Sequence, residues 1–409
     1  MTKAQKVVAE LLSATINNKK AVNITEESDW HEIFRLAEEH QIQSLLYSVV
    51  KDLPGENGVP GPDLLRTWKE VSFISAVGEA NKFRDACRIL SAFHEAGLPF
   101  IVLKGIVLRD LYPKPELRTM CDLDVFIAEE HVGKAREILG RLGYKESEST
   151  YKHICFTHEK HLMVELHTRL LDMEFAEKTK EWESGMWNNA IAVSICDIPV
   201  RTFSNEDHLI FLCLHLLNHF LVSGYGVRQL YDIAVFISGM YDRIQWNAFL
   251  SKVKELRISN FVSLVFNVCA KLFNIDIPQE IPGNCPDEKT LDMVIDDVFT
   301  GGVFGNEEAG HIISGVLNSY IGDRKKMPNR ATRIFYLLFP PYRVMKRKYK
   351  YMEKFPVLLP FAWMQRFFMN LFGKNRLFKK SKDYLALLNT HKVYEERFSI
   401  IKKLKLFEE

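Results

Sequence analysis

Apolar residues recur at helical spacing through the first quarter of the chain. In SDWHEIFRLAEEHQIQSLLYSVV (28–50), Ile33, Leu36 and Ala37, then Leu45, Leu46 and Val49, share one side at intervals of three and four, which predicts helix. The Pro/Gly-rich KDLPGENGVPGP (51–62) predicts a loop, and a long helix follows to about residue 96, where Gly97 and Pro99 stop it. The texture then changes. FIVL (100–103) is a short apolar run that reads as a buried strand; Lys104-Gly105 breaks it, and IVLRDLY reads as a short helix ahead of the Pro-rich loop YPKPELR. CDLDVFI (121–127) alternates acidic and apolar positions, the period-two signature of a strand. An amphipathic helix over 131–142 carries Val132, Ala135, Ile138, Leu139 and Leu142, and Gly143 ends it. YKHICFTH (151–158) and HLMVELHTRL (161–170) predict two strands joined by a tight turn at Glu159-Lys160. Strand, helix, strand, helix, strand, strand in about 70 residues predicts a compact α+β core with a mixed sheet.

Beyond DIPVRTF (197–203) the pattern is helical again. Ser204-Asn205-Glu206-Asp207 resembles a capping box with Asp in the place usually held by Glu or Gln, and it opens HLIFLCLHLLNHF. A further helix, RQLYDIAVFISGM, starts near Arg228. The expected organisation is a helical region over 1–95, the α/β core over 96–203, a helical domain over 204–322 and a basic, aromatic-rich helical region over 323–409. No internal repeat interrupts this order.

Composition excludes some classes. Of 409 residues, 47% are hydrophobic and 26% charged, which removes disorder and collagen-like repeats as descriptions of the whole chain. No apolar run reaches the roughly 18 residues needed to cross a bilayer, and MTKAQKVVAELLSATINNKK lacks a signal-peptide core. The seven cysteines (87, 121, 155, 196, 213, 269, 285) are scattered and never form C-x-x-C, so neither a disulfide framework nor a thiolate zinc site is expected. Together these predict a cytoplasmic protein.

The net charge of +2 conceals an asymmetry: residues 324–382 hold seventeen Lys and Arg against one acid, Glu353, a local net of +16. Such a block points to an anionic partner. It interleaves charge with Tyr342, Tyr349, Tyr351, Phe355, Trp363, Phe367, Phe368 and Phe372. Three readings stand: a helical domain with a solvated basic face, a grip on RNA through phosphates and stacking, or a peripheral contact with an anionic membrane surface through FPVLLPFAWMQRFF.

The sharpest chemical signal is Asp122-x-Asp124. On a strand both carboxylates project from one face, while Leu123, Val125 and Ile127 turn to the other. Two such acids repel by roughly 4 kcal/mol at contact distance near a protein surface. That is tolerable where water is plentiful or where a divalent cation lies between them, and Mg²⁺ favours one or two carboxylates plus substrate phosphates. A lone D-x-D is most often an exposed strand face, but three neighbours sharpen it. Lys104-Gly105 sits where a helix begins after a buried strand, a place where backbone approaches phosphate closely. Arg118, four residues before Asp122, has the fork to hold a phosphate. Glu165 and His167 alternate with Val164 and Leu166 on a later strand; beside the D-x-D strand, Glu165 supplies a third carboxylate.

FIVLKGIVLRDLYPKPELRTMCDLDVFI followed by VELH, with DWHEIFRLAEEHQIQSLL before it and LHLLNHF and GVRQLYDIAVFI after it, resembles the bacterial uncharacterised nucleotidyltransferase family. That family lies in the superfamily typified by DNA polymerase beta and the minimal nucleotidyltransferases. The resemblance implies a polymerase beta-like mixed-sheet core flanked by N- and C-terminal helices. It implies two Mg²⁺ ions, with Mn²⁺ as a substitute, on Asp122, Asp124 and Glu165, and an NTP as co-substrate bound near Lys104, Gly105 and Arg118. The implied reaction moves a nucleoside monophosphate to a hydroxyl acceptor, which is a small molecule, a tRNA end or a protein side chain, and releases pyrophosphate. The superfamily follows its helix-opening glycine with Ser or Gly; here Ile106 follows Gly105, and Lys104 stands in for the missing contact.

Other clusters have plainer readings. His215 and His219 are one helical turn apart, but Leu216 stands where a zincin carries glutamate, so packing or cleft lining is expected. Arg228 and Asp232 form an i, i+4 set whose default is a surface ion pair; the resemblance makes these two part of the family pattern, which gives them a cleft-lining role, and His167 and His215 are further cleft-lining candidates. His153, His158 and His161 lie around one hairpin, the last two solvated beside its turn. The competing reading of the whole chain is a catalytically silent fold kept as a nucleotide-, RNA- or membrane-binding scaffold.

Overall fold

In the computed structural model the chain forms two compact units, Met1–Leu216 with Val227–Ile295, and Leu217–Gly226 with Asp296–Glu409. The described residues are 1–18, 24, 28–53, 58–149, 152–171, 173–222, 225–281, 283, 285–301, 339, 342, 345, 349, 351–372, 400, 402, 403 and 405. Most of the basic stretch 324–382 lies outside them. Among the described residues, no helix is long and apolar enough to cross a membrane.

The larger unit opens with helices. A reciprocal capping box between Thr2 and Gln5 starts α1 (Lys3–Ile16). The periodic run over 28–50 is two helices, α2 (Trp30–Glu39) and α3 (Gln43–Val50), broken at Gln41, whose φ of 53° is left-handed. Asp29 accepts the N–H groups of His31 and Glu32 and so starts α2. Pro62 begins α4 (Pro62–Glu95), and Gly97, at φ 59°, turns the chain out of it.

Among the described residues seven strands follow: β1 (Ile101–Val102), β2 (Asp122–Phe126), β3 (Lys145–Ser149), β4 (His153–Thr157), β5 (Met163–His167), β6 (Ile191–Ile195) and β7 (Ile198–Thr202). They form one sheet in the order β3-β4-β5-β2-β1-β7-β6. The β2–β5 and β1–β7 pairs are parallel and the rest antiparallel. The sheet is therefore mixed and the fold α+β, as the sequence predicts. Between the strands lie α5 (Lys104–Leu108), α6 (Val132–Arg141) and α7 (Met173–Asn189); α8 (Asn205–Val222), α9 (Val227–Met240), α10 (Trp246–Glu255), α11 (Ser259–Phe273) and α12 (Glu288–Gly301) come after. The predicted cap at α8 forms: the Asp207 N–H donates to Ser204 Oγ at 3.2 Å.

One sheet face is the core. Leu123, Val125 and Ile127 of the D-x-D segment join Val164 and Leu166 of β5, and Ile89, Leu90 and Phe93 of α4 with Ile138 and Leu139 of α6 complete the cluster. Burial of these side chains fixes which way β2 faces, and so sends Asp122 and Asp124 to the opposite side.

Four elements fall outside the sequence expectations: β3, α7, β6 and β7. β3 reads KESES, polar on both faces as suits a sheet edge. β6 and β7 are joined by the two-residue turn Cys196-Asp197, both at positive φ (55° and 60°), without the usual Asn-Gly signal. That turn brings a correction. Cys196 forms a disulfide with Cys87 of α4 across 109 residues of sequence; only the packing of α4 against this end of the sheet juxtaposes them, so spacing along the chain carries no trace of the pair.

A buried glutamate ties α4 to the segment that leads into β2. Glu79 Oε2 accepts the Met120 N–H at 2.9 Å, and Lys82 Nζ donates to Glu79 Oε1 at 2.7 Å and to the Met120 carbonyl at 2.6 Å. Glu79→Ala leaves a buried N–H without its acceptor, and urea denaturation should show a loss of about 1–3 kcal/mol. An unchanged midpoint would mean that this tie does not hold β2 to α4.

Candidate metal and nucleotide site

The two acidic strands meet because β2 and β5 pair in parallel, with Asp124 opposite Glu165 and Phe126 opposite His167. Same-face residues on neighbouring strands lie side by side, and carboxylate oxygens of Asp122, Asp124 and Glu165 come within 4.8 Å of one another. Asp124 is buried, whereas Asp122 and Glu165 are partly exposed.

Two basic side chains of the chain's own answer this charge. His167 Nε2 lies 2.8 Å from Asp124 Oδ1 and 3.3 Å from Glu165 Oε2, bridging the strands. Lys104, at the start of α5, puts Nζ 3.3 Å from Asp124 Oδ2 and 3.4 Å from His215 Nε2. The lysine contact is an ion pair without hydrogen-bond geometry, so Asp124 Oδ2 is a buried carboxylate oxygen with no donor. Gly105 is tightly placed: a Cβ there would meet Arg118 Nη1 at 3.4 Å and the Asp122 carbonyl at 3.9 Å.

The protonation pattern follows. Burial opposes the charge on Lys104, but Asp124, Asp122 and Glu165 outweigh it and raise the lysine's pKa. His167 is raised as well, its burial overcome by hydrogen bonds to Asp124 and Glu165. Glu165 falls below its usual range because the His167 hydrogen bond outweighs burial. For Asp124, Lys104 and His167 together overcome burial and lower it. Asp122 is pushed up to about 7 by burial and by the Asp124 charge. Lys104 and the His167 hydrogen bonds thus offset much of the trio's charge, and one proton remains on the aspartate pair up to about neutral pH.

Arg118 is engaged elsewhere. Its Nε and Nη2 donate to Asp232 Oδ1 and Oδ2 of α9 at 2.9 and 2.8 Å, and the Tyr112 hydroxyl donates to Asp232 Oδ1 at 2.7 Å. Only Nη1 faces the Gly105 side. Arg228 likewise does not pair with Asp232: its Nη1 donates to Gln41 Oε1 and Thr119 Oγ1, both at 2.7 Å. The i, i+4 surface pair expected from the sequence is thus replaced by two separate ties, because the loop carrying Arg118 and Thr119 lies across α9. Nor is His161 merely solvated; its Nδ1 is 2.9 Å from Asp85 Oδ1.

The structure brings His153, read from the sequence only as one of three hairpin histidines, next to this site, and adds Tyr112. His153 of β4 pairs in register with His167 and belongs with Glu165 and His167 to a second group able to ligate metal. Reading both hairpin strands at period two would have placed it there. Tyr112 sits in the Pro-rich loop, where no periodicity marks it.

The family described as "Uncharacterised nucleotidyltransferase" matches residues 26–274, more than half of the chain. No curated protein matches. Among solved structures, the chain is similar to the solution structure of the antibiotic-resistance factor ANT(2'')-Ia, at 15% identity and a TM-score of 0.32, over 44% of this chain and 96% of that one.

Two outcomes are expected from this geometry. An acid whose pKa rises on folding takes up a proton as the chain folds. The Asp122 contribution is therefore full below its unfolded value near 3.8 and is lost as pH rises through about 7. Asp122→Asn should accordingly be more stable than the parent at pH 8 without divalent metal, on the order of 1–2 kcal/mol by urea denaturation, with the difference vanishing toward pH 4. Arg118→Ala strands the Asp232 carboxylate and should cost about 3–5 kcal/mol. Arg118→Lys restores one contact, so its melting temperature should fall between those of the parent and the alanine variant.

Proposed function

We propose that this chain, which belongs to the uncharacterised nucleotidyltransferase family, transfers a nucleoside monophosphate from an NTP to a hydroxyl acceptor and releases pyrophosphate. The observation that carries the proposal is the convergence of Asp122, Asp124 and Glu165 on adjacent parallel strands, with Asp124 Oδ2 buried and without a hydrogen-bond donor. Three carboxylates suit a hard divalent cation, Mg²⁺ or in its place Mn²⁺. These residues would hold it. When bound, the ion neutralises phosphate charge and makes the acceptor hydroxyl easier to deprotonate.

The chain's own groups supply the rest. His167 Nε2 binds one oxygen each of Asp124 and Glu165, which leaves the other oxygens of both for a ligand. Lys104 is held beside Asp124 in a buried setting, from which its ammonium would reach an NTP phosphate. Gly105 and Arg118 Nη1 line the same side, so the phosphates would lie between α5 and β2. Asp232 and Tyr112 act by fixing Arg118, and His215 by fixing Lys104. Either Asp124 or Glu165 can accept the proton of the acceptor hydroxyl. Phosphoryl-type transfer asks for positioning and charge neutralisation above all, and the site is rich in both.

A catalytically silent, nucleotide-binding reading draws on one observation: buried Ile106 follows Gly105 and offers no hydroxyl to a triphosphate. A screen separates the two. Each α-labelled NTP is incubated with the full chain, Mg²⁺ or Mn²⁺, and cell lysate as the acceptor pool. Label should pass to an acceptor, and Asp122→Asn, Asp124→Asn and Glu165→Gln should each reduce transfer roughly a hundredfold or more. Binding of metal and NTP without transfer would favour the silent reading; failure to bind either would defeat both.

A further inference from the structure

The described part of the basic C-terminal region contains a helix with two unlike faces. In the second unit, α13 (Tyr351–Lys354) leads through a 3-10 turn, Pro356–Leu358, into α14 (Leu359–Phe372). Ala362 of α14 is buried with Met345, Tyr349 and Met352, and Leu359 and Trp363 pack against the same cluster. At i, i+3, i+7 spacing on the opposite side stand Phe361, Met364 and Phe368, exposed at 54, 55 and 53%. Phe367 (51%) extends that side, and Phe355 (56%) and Val357 (84%) precede it. Soluble surfaces ordinarily scatter large apolar side chains singly; here, with Leu358 (40%), seven are gathered on one short segment.

Charge decides among partners. Residues 324–382, which include this helix, carry seventeen Lys and Arg against Glu353 alone. A protein groove would take the apolar stripe but has no call for a net of +16. Single-stranded RNA would take the charge and stack on the rings, yet it offers little to Val357 and Met364. A helix lying in the plane of an anionic bilayer uses both properties at once: its apolar side enters the boundary between headgroups and acyl chains, while positive charge is drawn to the lipid phosphates. Among the described residues no helix is long and apolar enough to cross a membrane, and α14 has the proportions of a surface-lying helix.

We propose that α14 docks this protein on an anionic lipid surface, with Phe361, Met364 and Phe368 inserted and the positive charge of 324–382 supplying the long-range attraction. This reading is independent of the transfer reaction.

The test is flotation of the full chain with vesicles of phosphatidylcholine alone and of phosphatidylcholine mixed with phosphatidylglycerol. Binding to the anionic vesicles should be tighter by roughly tenfold or more and should weaken as salt rises. Phe361→Ser combined with Phe368→Ser keeps every charge and should reduce binding roughly tenfold or more. Val357→Ser should reduce it by a smaller factor; at 84% exposure Val357 contributes almost nothing to folding, so that loss cannot come from unfolding. Melting curves of the variants matching the parent would exclude damage to the fold. The proposal is overturned if the parent ignores anionic vesicles at low salt, if the double variant binds them as well as the parent, or if single-stranded RNA binds the parent and releases it from the vesicles.

Discussion

The register between β2 and β5 is the constraint on which the larger unit depends. Because Asp124 lies opposite Glu165 in a parallel pair, carboxylates 41 residues apart in sequence become neighbours. Sliding β5 by one residue would turn Glu165 into the core and bring Leu166 to the site face. The register is held from beneath by Leu123, Val125, Val164 and Leu166, which are buried only in this alignment. Hydrophobic packing on one face thus maintains an electrostatically costly arrangement on the other.

That cost is met locally. Lys104 and His167 arrive from different elements, one as an ion pair and one as a hydrogen-bonded bridge, and the proton retained by the aspartate pair lowers the repulsion further. The folded chain can therefore hold the carboxylates together by itself. The loop from Tyr112 to Met120 serves the same end: Arg118 is clamped to Asp232, Thr119 to Arg228 and Met120 to Glu79, so the approach to β2 is fixed on three sides.

Much of this was legible in the sequence, for identifiable reasons. The D-x-D strand announced itself because strict alternation has one structural meaning, and α4 because proline and glycine bound it. The acid trio was legible once VELH was read as a strand. What stayed hidden depends on contacts between distant segments. Arg118 looked free to bind phosphate because its partner Asp232 is 114 residues away. Arg228 and Asp232 look like a helical ion pair, yet each is drawn off by a loop that spacing does not place. The Cys87–Cys196 pair and the Cys196-Asp197 turn leave no local mark, and β3 is too polar to read as a strand at all.

The shortest strand has a mechanical consequence. β1 contributes only two residues to the middle of the sheet, where it joins β2 on one side and β7 on the other. The seam between the halves is thus the sheet's most compliant line. The carboxylate triangle sits entirely on one half, built by β2 and β5, whereas Lys104 hangs from the end of the seam itself. Torsion along β1 would swing the ammonium toward or away from an undistorted triangle, so the acids and the charge that answers them can shift separately.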